Sequence, residues 1–329
     1  MKNKNIIEDK CHNLENQYKL KSIIIRFNLA IRNKFKKLRI IILLIILLIL
    51  LLFLKSFRVG LCVIGKNENL YVREFVEHYL KIGYNKIFIY DNNDKNGERF
   101  DEVINDYIQK KLVQIINFRE RSSDSRPIFD AYKDCYSRNN NAYDWLSFFD
   151  MDEFLELNKK YKSIQDFLND KIFKHCQNIK INWQLYKNDK NLYYENKPLQ
   201  QRITQFEDNK HIKSTVRGNL PKNYWKNIGT PHTSTLKYVS CSSSGKLVQF
   251  DSSFIFPPDY SNAKLKHYYY KSFEEYCIKI KRGKCDHPLN VSNQIAYQLF
   301  KGLYESNKNN TEKLKIIKKI FNESIYELK

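Results

Sequence analysis

The sequence has no CxxC pair and no cysteine spacing suited to zinc, although it contains seven cysteines. That removes the zinc-finger and CxxC redox readings. Internal repeats are absent, which excludes a solenoid or an array. Acid is scarce relative to base: 36 Asp and Glu stand against 57 Lys and Arg, a formal net charge of +21. Such a charge can serve anionic lipid or phosphate-bearing substrates. The lysines are dispersed and no nucleic-acid motif accompanies them, so nucleic acid is not expected as a partner. A general Lys, Asn and Ile bias accounts for much of the charge.

What is present begins with a hydrophobic run. Residues 1–39 are polar and basic and end in Arg32-Asn33-Lys34-Phe35-Lys36-Lys37-Leu38-Arg39. Ile40 to Leu54 are then fifteen consecutive Ile, Leu and Phe residues. As a helix they would extend about 22 Å, short for a bilayer, though Arg39, Lys55 and Arg58 can snorkel. The run has no polar face, so a soluble amphipathic helix is a poor fit. The sequence predicts a membrane anchor over 40–57, contacting lipid through 40–54. Basic residues crowd the N-terminal flank, so the tail is expected in the cytosol and the remainder on the far side, as a single-pass type II protein. In a eukaryote that means the ER or Golgi; the rival placement is cytosolic, on a bacterial-type inner membrane. The sequons at Asn290, Asn309 and Asn322 agree with lumenal exposure. A cleaved signal peptide is not expected, because no small-residue site follows the run.

After the anchor, strand and helix patterns alternate. Val59–Ile64 reads as a buried strand. Apolar positions over 70–82 have helical spacing and Gly83 is a natural C-terminal cap. Asn85–Tyr90 and Leu112–Ile116 are further strands, with helices around 99–111 and from Pro127 to about Arg138. Trp145–Phe149 is a short aromatic strand. This alternation predicts a doubly wound parallel sheet. The polar clusters at 65–68, 91–94, 118–121 and 150–153 should meet at one sheet edge, where ligands bind in such folds. Later, 163–170 reads as a short helix, 177–185 as a strand, 198–260 as short strands and loops, and Ser272 with Glu275 as a capping box opening a helix. Helices over 293–304 and 311–326 close the chain. Cys277 and Cys285 are close enough in sequence to pair.

In a chain short of acid, Asp150-Met151-Asp152-Glu153 stands out. Two carboxylates one residue apart can face one hard divalent cation, which keeps positions open for substrate phosphates. A solvated acidic loop after a core strand is the plain alternative.

The ordered set Lys66-Asn67-Glu68, Asp91-Asn92-Asn93, Asp134-Cys135, Trp145 through Phe149-Asp150-Met151-Asp152-Glu153-Phe154, Ile181-Asn182-Trp183, and His267-Tyr268-Tyr269-Tyr270-Lys271-Ser272 with Lys281-Arg282-Gly283 resembles glycosyltransferase family 92. The same order resembles the wider family-2-like glycosyltransferases of GT-A fold. The resemblance covers roughly 59–285. It departs at Gln184-Leu185-Tyr186-Lys187, where the family has Phe-Gly-Ser, and at Ile128, where a polar residue is common.

The resemblance implies a GT-A domain over 58–290, followed by C-terminal helices over 291–329. It implies a metal-dependent transfer of a hexose, with galactose as an example, from a UDP-sugar to a glycan or glycoprotein acceptor. Asp150 and Asp152 would form the Asp-x-Asp motif, with His267 as a third ligand to Mn²⁺ or Mg²⁺. Asp150 would hold the ribose or share the metal. Asp91 would accept from the base, or merely cap its turn. Lys66, Asn67, Glu68 and Asn92 would line the same pocket, though Glu68 also suits a helix cap. Lys271, Arg282 and Lys284 would hold phosphate or form a solvated face, and His232 is a second pocket histidine. Candidates for a base are Glu207, Asp208 and Asp286, with Asp251 and Asp259 behind them. A rival reading is an inactive, membrane-tethered nucleotide-sugar or glycan-binding protein on the same fold.

Overall fold

The structure is a computed structural model. It describes residues 21, 26, 32, 34–47, 56–120, 125–187, 190–221, 224, 232, 237–248 and 253–321. The chain divides into two compact units, Met1–Ser56 and Phe57–Lys329. In the first, 34–47 is helical and exposed throughout. Among the described residues no helix is long and apolar enough to cross a membrane. The remainder of the expected anchor, 48–55, lies outside the described residues.

The second unit is a mixed α/β fold on one curled nine-stranded sheet. Its strands are β1 (Val59–Gly65), β2 (Lys86–Asp91), β3 (Val113–Asn117), β4 (Trp145–Phe148), β5 (Glu153–Leu157), β6 (Asn178–Lys187), β7 (Gln205–Arg217), β8 (Ser240–Cys241) and β9 (Ala263–His267). The spatial order is β3-β2-β1-β4-β7-β6-β9-β5, with β8 beside β6. The first four strands run parallel. Their crossovers are α1 (Asn69–Lys81), α2 (Phe100–Gln109) and α3 (Pro127–Asn139), as parallel pairing requires. The doubly wound expectation holds only that far. β7 pairs antiparallel with β4 and β6, and β5 antiparallel with β9. The sheet is therefore mixed, and β4 and β5, adjacent in sequence, lie strands apart. The turn between them carries the acids across the curl.

β1, β2 and β4 are buried because helices cover them, whereas β3 at the edge is only partly covered. α1 buries Tyr71, Val72, Phe75, Val76 and Tyr79 along one face, each contributing roughly 1.5–3 kcal/mol. Gly83 follows α1 at φ +104°, a conformation glycine adopts without a Cβ penalty. The Tyr79 hydroxyl donates to the Glu153 carbonyl at 2.8 Å and accepts from the Leu155 amide at 3.1 Å. It thereby pins β5, a strand the sequence pattern hid, beneath α1.

Ile164–Leu168 is the short helix α4, Leu199–Arg202 is α5 and Phe273–Arg282 is α6. Ser272 and Glu275 form the expected capping box on α6. The closing helices are α7 (Leu289–Asn307) and α8 (Thr311–Phe321). Phe300, Ile316, Ile317 and Phe321 pack on Cys277 and Ile280 of α6. α7 begins at Leu289, beside the expected division at 290.

The cysteine pairing that the sequence left open is set by the fold. Cys277 and Cys285 are both free. The disulfides are Cys62–Cys135, which clips α3 to β1, and Cys176–Cys241, with Cα separations of 6.3 and 5.8 Å.

Candidate active site

A cleft of about 500 Å³ opens at the C-terminal ends of β1, β2 and β4. Its walls include Lys66, Glu68, Asn92, Asn93 and Asp94 from the first strand ends, Asp150 and Asp152 from the acidic turn, and Trp183, His232 and His267 from the second half. Lys279, Arg282, Lys284, Cys285 and Asp286 close it, with Leu289, Ser292 and Ala296 of α7. Three of the four predicted polar clusters thus meet here directly, and the fourth enters through Glu120.

The acidic turn is built from below. Glu153 is fully buried, and its Oε2 accepts from the Asp150 amide at 2.8 Å. Burial pushes the Glu153 carboxyl well up, favouring its neutral form, with the Lys213 ammonium opposing. Lys213 of β7, itself fully buried, stands 2.8 Å from Asp150 Oδ1 and 3.8 Å from Glu153 Oε1. The nearer contact makes Asp150 its ion partner. Burial would raise the Asp150 carboxyl, but Lys213 holds it below the ordinary range. The Tyr132 hydroxyl also donates to Asp150 Oδ1 at 3.1 Å.

Asp152 is the more enclosed acid, with its side chain 5% exposed. Lys279 Nζ lies 2.5 Å from its Oδ2, and His267 Nε2 lies 3.5 Å from its Oδ1. Burial opposes its charge, yet Lys279 and His267 hold the carboxyl well below its usual range. The β5–β9 pairing sets Glu153 opposite His267, which explains how a histidine so distant in sequence reaches the motif. His267 packs against Trp183, ring centroids 4.3 Å apart. Burial lowers its pKa and favours neutral imidazole. His232 Nδ1 donates to the Ile212 carbonyl, 2.9 Å away, and burial takes its pKa down to about 3.

Glu68 organises the adjoining wall. Its backbone carbonyl takes the first amides of α1, Tyr71 and Val72, at 2.9 and 3.0 Å. Its buried carboxylate binds Lys271 Nζ at 2.9 Å and the Arg282 guanidinium. Glu68 therefore fills the helix-start role and also fixes two cations. Arg282 donates onward to the Lys66 carbonyl at 2.6 Å. Lys66 pairs with Asp94 at 2.8 Å, and the Asn67 amide donates to Asn93 Oδ1 at 2.7 Å. Lys271 also faces the Tyr71 ring at 3.4 Å and is almost wholly buried.

Other expected residues fall differently. Asp91 Oδ1 accepts from the Asn93 amide and side chain, and Asp91 Oδ2 accepts twice from Arg119. Four donors fill a carboxylate's usual capacity, so a base could reach Asp91 only by displacing one. Its neighbour Asn92 does line the cleft. Glu207 and Asp208 sit in the exposed half of β7, with Glu207 paired to Lys187; neither lines the cleft. Asp259 is held by Ser242 and Ser244 and does not line the cleft, and Asp251 lies outside the described residues. Asp286 lines the cleft, 3.6 Å from His287. Sequence reasoning missed Lys213, Arg119 and Lys279. A lysine within Ile212-Lys213-Ser214-Thr215-Val216 was a signal. So was Lys279 one helical turn before Arg282, on the same face.

Two carboxylates and an imidazole match Mn²⁺ or Mg²⁺ in kind. His267 Nδ1 is buried without a hydrogen-bond partner, as an unfilled donor position would be. The three do not converge: among the described residues no three His, Cys, Asp or Glu side chains stand where they could hold a metal ion. Lys279 occupies the approach to Asp152 instead.

The family model Glycosyltransferase family 92 matches residues 55–325. A glycosyltransferase family 92 protein of Oryza sativa subsp. japonica is 27% identical over 116 residues, 35% of this chain. That match spans only 18% of the rice protein's length. Among solved structures, S. aureus TarS 1-349 in complex with UDP is similar at 11% identity over 82% of each chain, with a TM-score of 0.34. The Pyrobaculum calidifontis mannosyltransferase PcManGT, in complex with GDP-Man and Mn²⁺, matches 39% of this chain and 36% of its own at 11% identity and a TM-score of 0.29.

Proposed function

The chain belongs to glycosyltransferase family 92, and on that premise we propose that its cleft takes a UDP-sugar and passes the hexose, galactose by family analogy, to a glycan acceptor. The observation that carries this is the meeting, at one sheet edge, of the Asp150–Asp152 turn with Lys279 and Arg282. We read the sheet and its cleft as a GT-A domain. Arg282 is suited to paired hydrogen bonds with phosphate oxygens, and Glu68 aims it. Asn92 offers a neutral donor and acceptor at the β2 end, where a nucleoside would lie.

In the transfer, an acceptor hydroxyl oxygen bonds to the anomeric carbon. The bond from that carbon to the diphosphate breaks, and UDP leaves with the electron pair. The hydroxyl proton passes to a carboxylate. Of Glu207, Asp208 and Asp286, the last alone lines the cleft, so we assign it that role. Asp150, Asp152 and His267 are of the right chemical kind to hold Mn²⁺ or Mg²⁺ but do not converge on one point here; a cation bound beside them would neutralise the leaving diphosphate as a Lewis acid.

The two disulfides suit an oxidising compartment. They support placing the cleft on the lumenal side of an anchor at 40–54, in the ER or Golgi of a eukaryote.

The test is a screen of nucleotide sugars with the full-length protein in detergent, with and without Mn²⁺, following release of nucleoside diphosphate. The expected result is Mn²⁺-dependent turnover of one UDP-hexose. Turnover of none would overturn the transferase reading, and undiminished turnover in chelator would overturn the metal role.

A further inference from the structure

We propose that Arg119 is the positioning residue of the nucleoside wall: its guanidinium ties residues 92–98 to Asp91 and holds Asn92 and Asp94 at the cleft without touching the nucleotide. The inference rests on the cleft being a nucleotide-sugar site, as read above.

Asn92-Asn93-Asp94-Lys95-Asn96-Gly97-Glu98 follows the C-terminal end of β2 and contains no apolar side chain to pack. Segments without buried apolar contacts open at low cost, so polar ties must hold this one. Arg119 lies just beyond the neighbouring strand β3, its side chain 16% exposed. A guanidinium carries five N–H donors, and all five are placed. Nε and Nη2 meet Asp91 Oδ2 at 3.0 and 2.7 Å. Nη1 meets the Asp94 and Lys95 carbonyls at 2.9 and 3.3 Å, and Nη2 also meets the Glu98 carbonyl.

With its donors committed, Arg119 acts through the segment it holds. Asp91 is committed in the same way: Oδ1 takes the Asn93 amide and side chain, and Oδ2 takes Arg119. Its carboxylate therefore serves the clamp and not the nucleoside. Other ties on the segment are single contacts. The Asn92 amide donates to the Gly65 carbonyl at 2.9 Å, the Glu98 carboxylate accepts from the Asn69 amide at 2.9 Å, and Lys66 pairs with Asp94. That last pair is largely exposed and holds little. Without Arg119 the carbonyls of Asp94, Lys95 and Glu98 lose their common donor, and the segment opens. A nucleotide then binds only the fraction of molecules whose wall is in place. Arg282 is held separately, by Glu68 and the Lys66 carbonyl, so contacts to the diphosphate should survive.

The test titrates UDP and inorganic pyrophosphate calorimetrically, in one Mg²⁺ buffer, into full-length wild type, R119M, R119K, D91N and D91N/R119M. Pyrophosphate carries the diphosphate without the nucleoside. Circular dichroism checks folding, and R119K, which keeps the charge but not the planar fork, serves if R119M does not fold. UDP should bind R119M roughly tenfold more weakly than wild type, and R119K nearly as weakly, while pyrophosphate binds every protein equally. D91N/R119M should be no weaker than R119M, because Asp91 acts through Arg119. With a nucleotide-sugar donor, R119M should raise KM by the same factor and leave kcat within about twofold. This split decides the matter if pyrophosphate binds wild type too weakly to measure. A fall in kcat alone, equal weakening of both ligands, unchanged UDP affinity or an additive loss in the double variant would overturn the clamp while the nucleotide site stands. If wild type binds neither ligand, the reading of the cleft falls and the clamp falls with it.

Discussion

The two halves of the sheet contribute opposite charges to the cleft. The parallel half and the turn after it, residues 59–157, bring Glu68, Asp94, Asp150 and Asp152. The mixed half and α6, from 178 onward, bring Lys279 and Arg282 into the cleft wall and Lys213 and Lys271 behind it, paired to Asp150 and Glu68. Lys66 and Asp286 are the exceptions, one on each side. The acids sit on strand ends whose geometry follows from local strand–helix alternation. The cations arrive by long-range pairing, β7 against β4 and β9 against β5. An anionic diphosphate fits this division: the acid side can hold a cation, and the basic side can hold phosphate directly.

The largest expected effect comes from breaking the acid side. D152N should lower donor turnover roughly 10³-fold, the scale of losing a central electrostatic group, measured as UDP release. Retention of wild-type turnover would mean that the acids are structural. Next, D286N should lower kcat roughly 10²-fold with donor KM unchanged, as expected for a proton acceptor. A rise in KM alone would make Asp286 a binding residue.

A third measurement probes the joint between halves away from the chemistry. Arg202 pairs with Glu275 at 2.6 Å, both almost fully buried, and Tyr71 of α1 bonds the same carboxylate. Burial opposes the Glu275 charge, but Arg202, Ser272 and Tyr71 draw its pKa from 4.5 down to about 2. Because the folded value is depressed, this stability is present above about pH 4.5 and is lost as pH falls towards 2. Between pH 5.5 and 2.5 wild type should lose about 2 kcal/mol more than E275Q in urea unfolding. Equal losses would remove Glu275 from the account. The smallest effect should come from E207Q and D208N, which sit outside the cleft and should leave turnover within about twofold.

The contrast between halves also governs what the sequence made legible. Buried parallel strands are near-continuous apolar runs, so Val59–Ile64 and Lys86–Tyr90 were readable, as were α1 and the Ser272–Glu275 cap. β5 was not, because it opens on Glu153, a charge that is buried only in the folded chain. β7 was not, because Gln205–Lys210 is polar apart from Phe206 and Lys213 interrupts its buried end. The Asp150–Asp152 motif and His267 could be named from residue type and order. Lys213 within Ile212–Val216 and Lys279 one turn before Arg282 carried a signal of position, but neither, in a chain with 57 Lys and Arg, carried a mark of its partner. Disulfides closing separations of 73 and 65 residues are likewise set by tertiary packing and not by spacing.

The central claim is that the acids and cations of this cleft together bind a nucleotide diphosphate. Calorimetric titration of UDP in the presence of Mn²⁺ into wild type and into D150N/D152N tests it most directly. Saturable binding to wild type that the double variant weakens at least about tenfold is the predicted result. Equal affinity in the two proteins, or no binding to either, would contradict it.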